Sequence, residues 1–196
     1  MKYISIDIET TGLNPLENDV LEIGAYIEDT NNPLPREQLP CFHVYIWKEN
    51  YRGNAFALEM NHRILKKILE LKKAKDASLV NSEDVANRFG SFLLNNKSQW
   101  PDDKFINGCG PFVVAGKNLA GFDLPFLNEL PGWKQFKFHR RVVDPGVLYF
   151  DPKQDEVLPD TSLCKQRAGL SAFVAHEALD DAWDVITLVR HKFPYA

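Results

Sequence analysis

A chain of 196 residues, 44% hydrophobic and 26% charged, is long enough for one substantial core and predicts a single domain over residues 1–196. The formal charge, 23 minus 27 or −4, excludes a protein that coats nucleic acid by bulk electrostatics but not an enzyme working on a nucleic-acid end. No run approaches the roughly 18 continuous apolar residues of a membrane span, and the N-terminus carries no signal-peptide series. Cys41, Cys109 and Cys164 form neither a disulfide framework nor a zinc pattern, so a reducing, cytoplasmic setting with no membrane partner is expected.

The first twelve residues set the pattern for the rest. Ile4, Ile6 and Ile8 alternate with polar residues, as in a strand, and the polar set includes Asp7 and Glu9. Residues two apart on a strand share a face, so both acids project together. Thr10-Thr11-Gly12 ends the strand in a tight turn, and residues 13–19 continue as turn. Residues 20–28 alternate as a second strand. Residues 30–40, with three prolines, read as a loop, and 42–47 as a third strand, which completes an antiparallel meander. Helical spacing then takes over, with residues 55–71 as two helices broken near Asn61. Ser82 is placed as the cap of a helix with Glu83 and Asp84 in its first turn and Val85, Phe89, Phe92 and Leu93 on its buried face. Residues 95–110 read as loop, 112–115 as a short buried strand, and 123–130 as a helix. A strand at 136–143 is expected to end at Asp144-Pro145, before final helices at 159–170 and 178–191. This order predicts an α/β layer on a mixed sheet with helices on both faces. Such sheets place their sites at the carboxyl ends of strands, where Asp7 and Glu9 sit.

Two carboxylates held side by side repel unless a cation lies between them, and hard oxygen ligands on a rigid strand suit Mg²⁺ or Mn²⁺. The alternative is a solvated strand face with two incidental acids. Asp123 lies just past a strand at a helix start, where an aspartate usually serves as cap or dipole partner. Lys117-Asn118 precede it, and Ala120-Gly121 permit close approach of backbone or ligand. His176 and Asp181 would stand about 140° out of line on one continuous helix, so they converge only if His176 occupies the loop before it. Read alone, His176 is a loop residue, and Asp180, Asp181 and Asp184 are a solvated helix face.

Together, Asp7-x-Glu9-Thr-Thr-Gly12, the 118–123 segment and His176-x4-Asp181 resemble the three motifs of DnaQ-like 3′–5′ exonucleases. The match is to the branch with four acids and a histidine separated from the last acid by four residues. The resemblance implies a ribonuclease H-like α/β fold, a five-stranded mixed sheet flanked by helices. It implies that Asp7, Glu9, Asp123 and Asp181 hold two divalent metal ions, Mg²⁺ or Mn²⁺, and that His176 is the general base. The implied reaction releases nucleoside 5′-monophosphates from a single-stranded 3′ end, DNA favoured. RNA trimming of the ribonuclease T or oligoribonuclease kind is the alternative. The implied partner is a single-stranded DNA or RNA 3′ end, with a polymerase in trans as a further one.

Further positions carry softer expectations. Thr10, Thr11, Gly12 and Leu13 are expected to meet the terminal nucleotide through backbone groups and one apolar wedge. His62 and Asn118 are expected nearby, His62 equally fitting a surface role, and Phe122 either stacks or packs beneath the site, a core phenylalanine being the better reading. Asp144 either supports the site or caps the Asp144-Pro145 turn. Lys66-Lys67, Lys72-Lys73 and His139-Arg140-Arg141 either follow phosphates or are solvated surface. Two rivals stand beside the exonuclease: a catalytically idle adaptor for nucleic acid or a polymerase, and an endonuclease on the same fold.

Overall fold

The structure, a computed structural model, describes residues 1–100 and 110–195. The alternating N-terminal segments form the meander expected of them: β1 (Lys2–Thr10), β2 (Val20–Asp29) and β3 (Cys41–Trp47), each antiparallel to the next. Two short parallel strands complete the sheet, β4 (Leu79–Asn81) beside β3 and β5 (Val114–Ala115) beside β1, in the order β4-β3-β2-β1-β5. The register sets Asp7 opposite Gly24 and Glu9 opposite Glu22.

Strand alternation divides the core between two faces. Ile4, Ile6, Ile8, Ile23 and Val44 pack against Phe89 of α3 (Val85–Asn95) and Phe126 of α4 (Asp123–Glu129). Tyr3 and Tyr26 pack instead against Ala182, Val185 and Val189 of α7 (Ala178–Lys192). The helical hairpin expected around Asn61 is present as α1 (Ala55–Met60) and α2 (His62–Ala74), with Ile64 and Ile68 buried on Leu21. Two short helices, α5 (Pro145–Leu148) and α6 (Thr161–Arg167), lead to α7.

Several boundaries differ from expectation. The fifth strand is residues 79–81, not 136–143. The latter segment makes only isolated bridges, Phe112 to Phe138 and Ala115 to Val143. Its middle bends because the His139 Nδ1 accepts the Arg141 amide at 3.1 Å, which takes that amide out of any ladder. Residues 79–81 escaped notice because they are too few to show a period after Lys75 closes α2 in the left-handed region. Ser82 does not cap α3: residues 82–84 form a turn and the helix starts at Val85, though its buried face is the one expected. The final pair of helices is present, the first confined to 161–167 by the Asp160 cap, which accepts the Leu163 amide at 2.8 Å. The expected 95–110 loop contains a 3₁₀ turn at 97–99, and its remainder, with Cys109, lies largely outside the described residues. Among the described residues no helix is long and apolar enough to cross a membrane.

Candidate active site

Three elements deliver the acids. Asp7 and Glu9 stand half-buried at the carboxyl end of β1. Strand β5 pairs with β1 only as far as Ser5, which leaves the Ile8 amide to another acceptor. The Asp123 carboxylate takes it, with Oδ1 at 3.1 Å, and so fastens the start of α4 to the site edge of β1. Helix α7 comes in from the other side through Gly24. A Cβ there would lie 2.3 Å from the Leu179 nitrogen, so only glycine lets the helix start press onto β2 opposite Asp7. The Ser5 hydroxyl donates to the Ala182 carbonyl at 2.8 Å, and Arg190 grips Glu28 through two hydrogen bonds at the far end. Asp181 is thereby held in the first turn of α7, over the strand that carries Asp7 and Glu9.

His176 lies in an irregular segment just before α7, exposed and in the left-handed region at φ 54°. This is the placement that convergence with Asp181 required. One ligand atom each from Glu9, His176 and Asp181 lies within 4.8 Å of the others.

The acids raise one another's proton affinity. Burial and the charges of Asp123, Asp181 and Glu9 hold the Asp7 carboxyl well above the ordinary carboxylate range. Burial, then Asp181 and Glu22, push Glu9 up to about 8 against the opposing hydrogen bond from Asn61. Burial lifts Asp123 to about 7 despite its backbone hydrogen bonds, and burial with Asp184 lifts Asp181 to about 7. The Asp181 Oδ1 is buried and has no hydrogen-bond partner among the described residues. Four converging carboxylates with an orphaned oxygen are a donor set short of positive charge, which fits a divalent cation.

A fifth acid was not singled out in the sequence. Glu22 is fully buried, faces Glu9 across the β1–β2 pair, and lies 2.6 Å from the His43 Nε2. Its signal was the strand parity: it occupies one of the polar alternates of 20–28, on the face shared with Glu9.

The softer positions divide. Thr10 and Thr11 turn inward. The Thr10 hydroxyl donates to the Gly12 carbonyl at 2.7 Å, and the Thr11 hydroxyl accepts the Asp19 amide at 2.7 Å and donates to the Arg52 carbonyl. Leu13, by contrast, is 82% exposed. His62 is exposed and lines, with Phe56, Met60, Arg63, Lys66, Lys67 and His176, a cleft of about 780 Å³ between the α1–α2 hairpin and the segment before α7. Phe122 is partly buried against the core, its ring 5.1 Å from that of Phe126. Asp144 caps α5, its Oδ1 accepting the Gly146 amide at 2.7 Å, and its Oδ2 accepts the amide of Asn118 at 2.9 Å. Asn118 is exposed and left-handed at φ 55°.

The site thus gathers acids from a central strand and two helices, with a histidine at the rim. No protein-family model matches the chain. The oligoribonuclease of Buchnera aphidicola subsp. Acyrthosiphon pisum (strain APS) is 27% identical over 145 residues, 74% of this chain and 70% of that protein. E. coli exonuclease I in complex with a dT13 oligonucleotide superposes with a TM-score of 0.61 at 16% identity, covering 98% of this chain and 42% of that one. Cell-death related nuclease 4 gives 0.64 at 14% identity, covering 98% and 64%. The chain thus spans less than two thirds of these structural relatives. The superpositions show that the chain shares the fold of these two nucleases.

Proposed function

We propose that the protein hydrolyses single-stranded nucleic acid from its 3′ end, releasing nucleoside 5′-monophosphates, with Asp7, Glu9, Asp123 and Asp181 holding two Mg²⁺ or Mn²⁺ ions. When bound, such ions neutralise phosphate charge, acidify the attacking water and stabilise the departing 3′ oxygen. His176, at the rim on an exposed segment, accepts the proton from that water at a ring nitrogen. Asp144 fixes the Asn118 turn beside Asp123. Leu13 offers the terminal base an apolar surface, and the Thr10–Gly12 turn supplies the rigid backbone behind it. Arg63, Lys66 and Lys67 line the cleft next to His176, where they meet the phosphates upstream of the cut.

The single observation carrying this reading is the convergence, within 4.8 Å, of ligand atoms of Glu9 with those of His176 and Asp181 from the far end of the chain. Adding Mg²⁺ or Mn²⁺ to a 5′-labelled oligonucleotide is expected to give a ladder shortening from the 3′ end, with mononucleotide product. Retention of full activity by Asp7→Ala would sink the assignment. DNA is the favoured substrate. The likeness to an oligoribonuclease supports RNA trimming as the second reading, and side-by-side digestion of DNA and RNA oligonucleotides decides between them. We place the enzyme in the cytoplasm, in keeping with the free thiols of Cys41 and Cys164, and a polymerase working in trans remains part of the proposal.

A further inference from the structure

Lys165 is a lysine where lysines are seldom found. It sits on α6 with only 9% of its surface exposed, and a buried ammonium needs partners. It has two. Its Nζ donates to the Asp184 Oδ2 at 2.5 Å and to the Phe173 carbonyl at 2.5 Å. Asp184 lies one turn beyond Asp181 on α7, and Phe173 lies three residues before His176. One ammonium therefore joins the helix that carries the last acid to the strap that carries the histidine.

The strap itself has little else to fix it. Residues 171–177 follow no regular hydrogen-bonding pattern, and the Phe173 side chain is 74% exposed. Between the strap and the start of α6 lies an open cleft of about 380 Å³ lined by Ser162, Ala172, Val174 and His176, so this side of the strap is not closely packed. Among the described residues, the bond from Lys165 is the hydrogen bond that ties 171–176 to an element outside the strap.

We propose that Lys165 is a positioning residue: it holds the His176 strap in register with Asp181 and so sets where the histidine meets the attacking water. The proposal rests on the reading of His176 as general base. The competing role is a structural ion pair that merely joins α6 to α7.

The test compares wild type, Lys165→Met and the double variant Lys165→Met/Asp184→Leu, all in the full chain. The double variant removes the pair without stranding a buried charge, so it restores stability if Lys165→Met alone folds poorly. Positioning predicts that kcat on a single-stranded oligonucleotide falls roughly 10- to 100-fold in both variants while KM stays within about twofold. It also predicts lower NMR backbone order parameters at 174–176, with Mn²⁺ affinity unchanged. Recovery of kcat together with thermal stability in the double variant would overturn it. If wild type cleaves no oligonucleotide, the exonuclease reading falls, and the order parameters at 174–176 still decide on the latch: lowered values support it, unchanged values refute it.

Discussion

Replacing Asp123 by asparagine should make the metal-free protein more stable while abolishing its activity. Asp123 is 3% exposed, and its carboxyl stands at about 7 against an ordinary 3.8. The folded state therefore holds this proton more tightly than the unfolded chain does. Unfolding releases it between about pH 4 and pH 7, so stability falls as pH rises through that window and stays low above it. At about 1.4 kcal/mol per tenfold in proton affinity, the loss at pH 8 is on the order of 4 kcal/mol. Asparagine keeps an oxygen for the Ile8 amide but carries no charge. Allowing for relaxation among neighbouring acids, Asp123→Asn is expected to gain about 2–4 kcal/mol at pH 8 in EDTA, or roughly 5–15 °C in Tm, and almost nothing at pH 4. Saturating Mn²⁺ should narrow the gap, since a ligand at 100 times its Kd adds about 2.7 kcal/mol to wild type and less to the variant. Scanning calorimetry from pH 4 to 8, with and without metal, measures all of this. A variant less stable than wild type at pH 8 in EDTA, or with a parallel pH curve, would refute the electrostatic account.

Other outcomes follow from the same geometry. His176→Ala should lower single-turnover cleavage about 10²- to 10⁴-fold with Mn²⁺ affinity nearly intact, and near-wild-type turnover would remove the histidine from the chemistry. Gly24→Ala places its new methyl 2.3 Å from the Leu179 nitrogen, a backbone atom that cannot step aside. A loss of about 3 kcal/mol or more in urea denaturation is expected, whereas Gly90→Ala, whose methyl meets only the Phe136 ring at 3.7 Å, should be neutral or stabilising. Removing Arg63, Lys66 and Lys67 together should reduce the log–log salt slope of single-strand binding by about 2 and leave dinucleotide cleavage unchanged. An unaltered slope would take the upstream strand off this wall of the cleft.

How much of this was legible in the chain depended on how local each signal is. The meander could be read because Ile4, Ile6 and Ile8, and the alternates of 20–28, repeat every two residues on a half-buried surface. Asp7 and Glu9 could be read from strand parity as sharing one face, whereas Asp123, Asp181 and His176 stood out only through the motif resemblance. What escaped was long-range. Nothing near Gly24 says that a helix over 150 residues later will press against it. Lys165 reads as an ordinary helix cation until Asp184 and Phe173 are folded onto it. The 136–143 segment has a strand's composition, but the His139 ring competes successfully for a backbone amide, a contest no propensity scale registers.

The turn after β1 has a mechanical consequence. The Asn61 side chain donates to the Thr10 carbonyl at 2.8 Å, the Asn54 amide donates to the Thr11 carbonyl at 3.0 Å, and the Thr11 hydroxyl reaches the Arg52 carbonyl. One jaw of the cleft is thus clamped to the same backbone that carries Asp7 and Glu9, whereas the opposite jaw is the tethered strap. The clamped jaw and the two acids therefore move together or not at all. Any opening of the cleft is then confined to the side of the histidine.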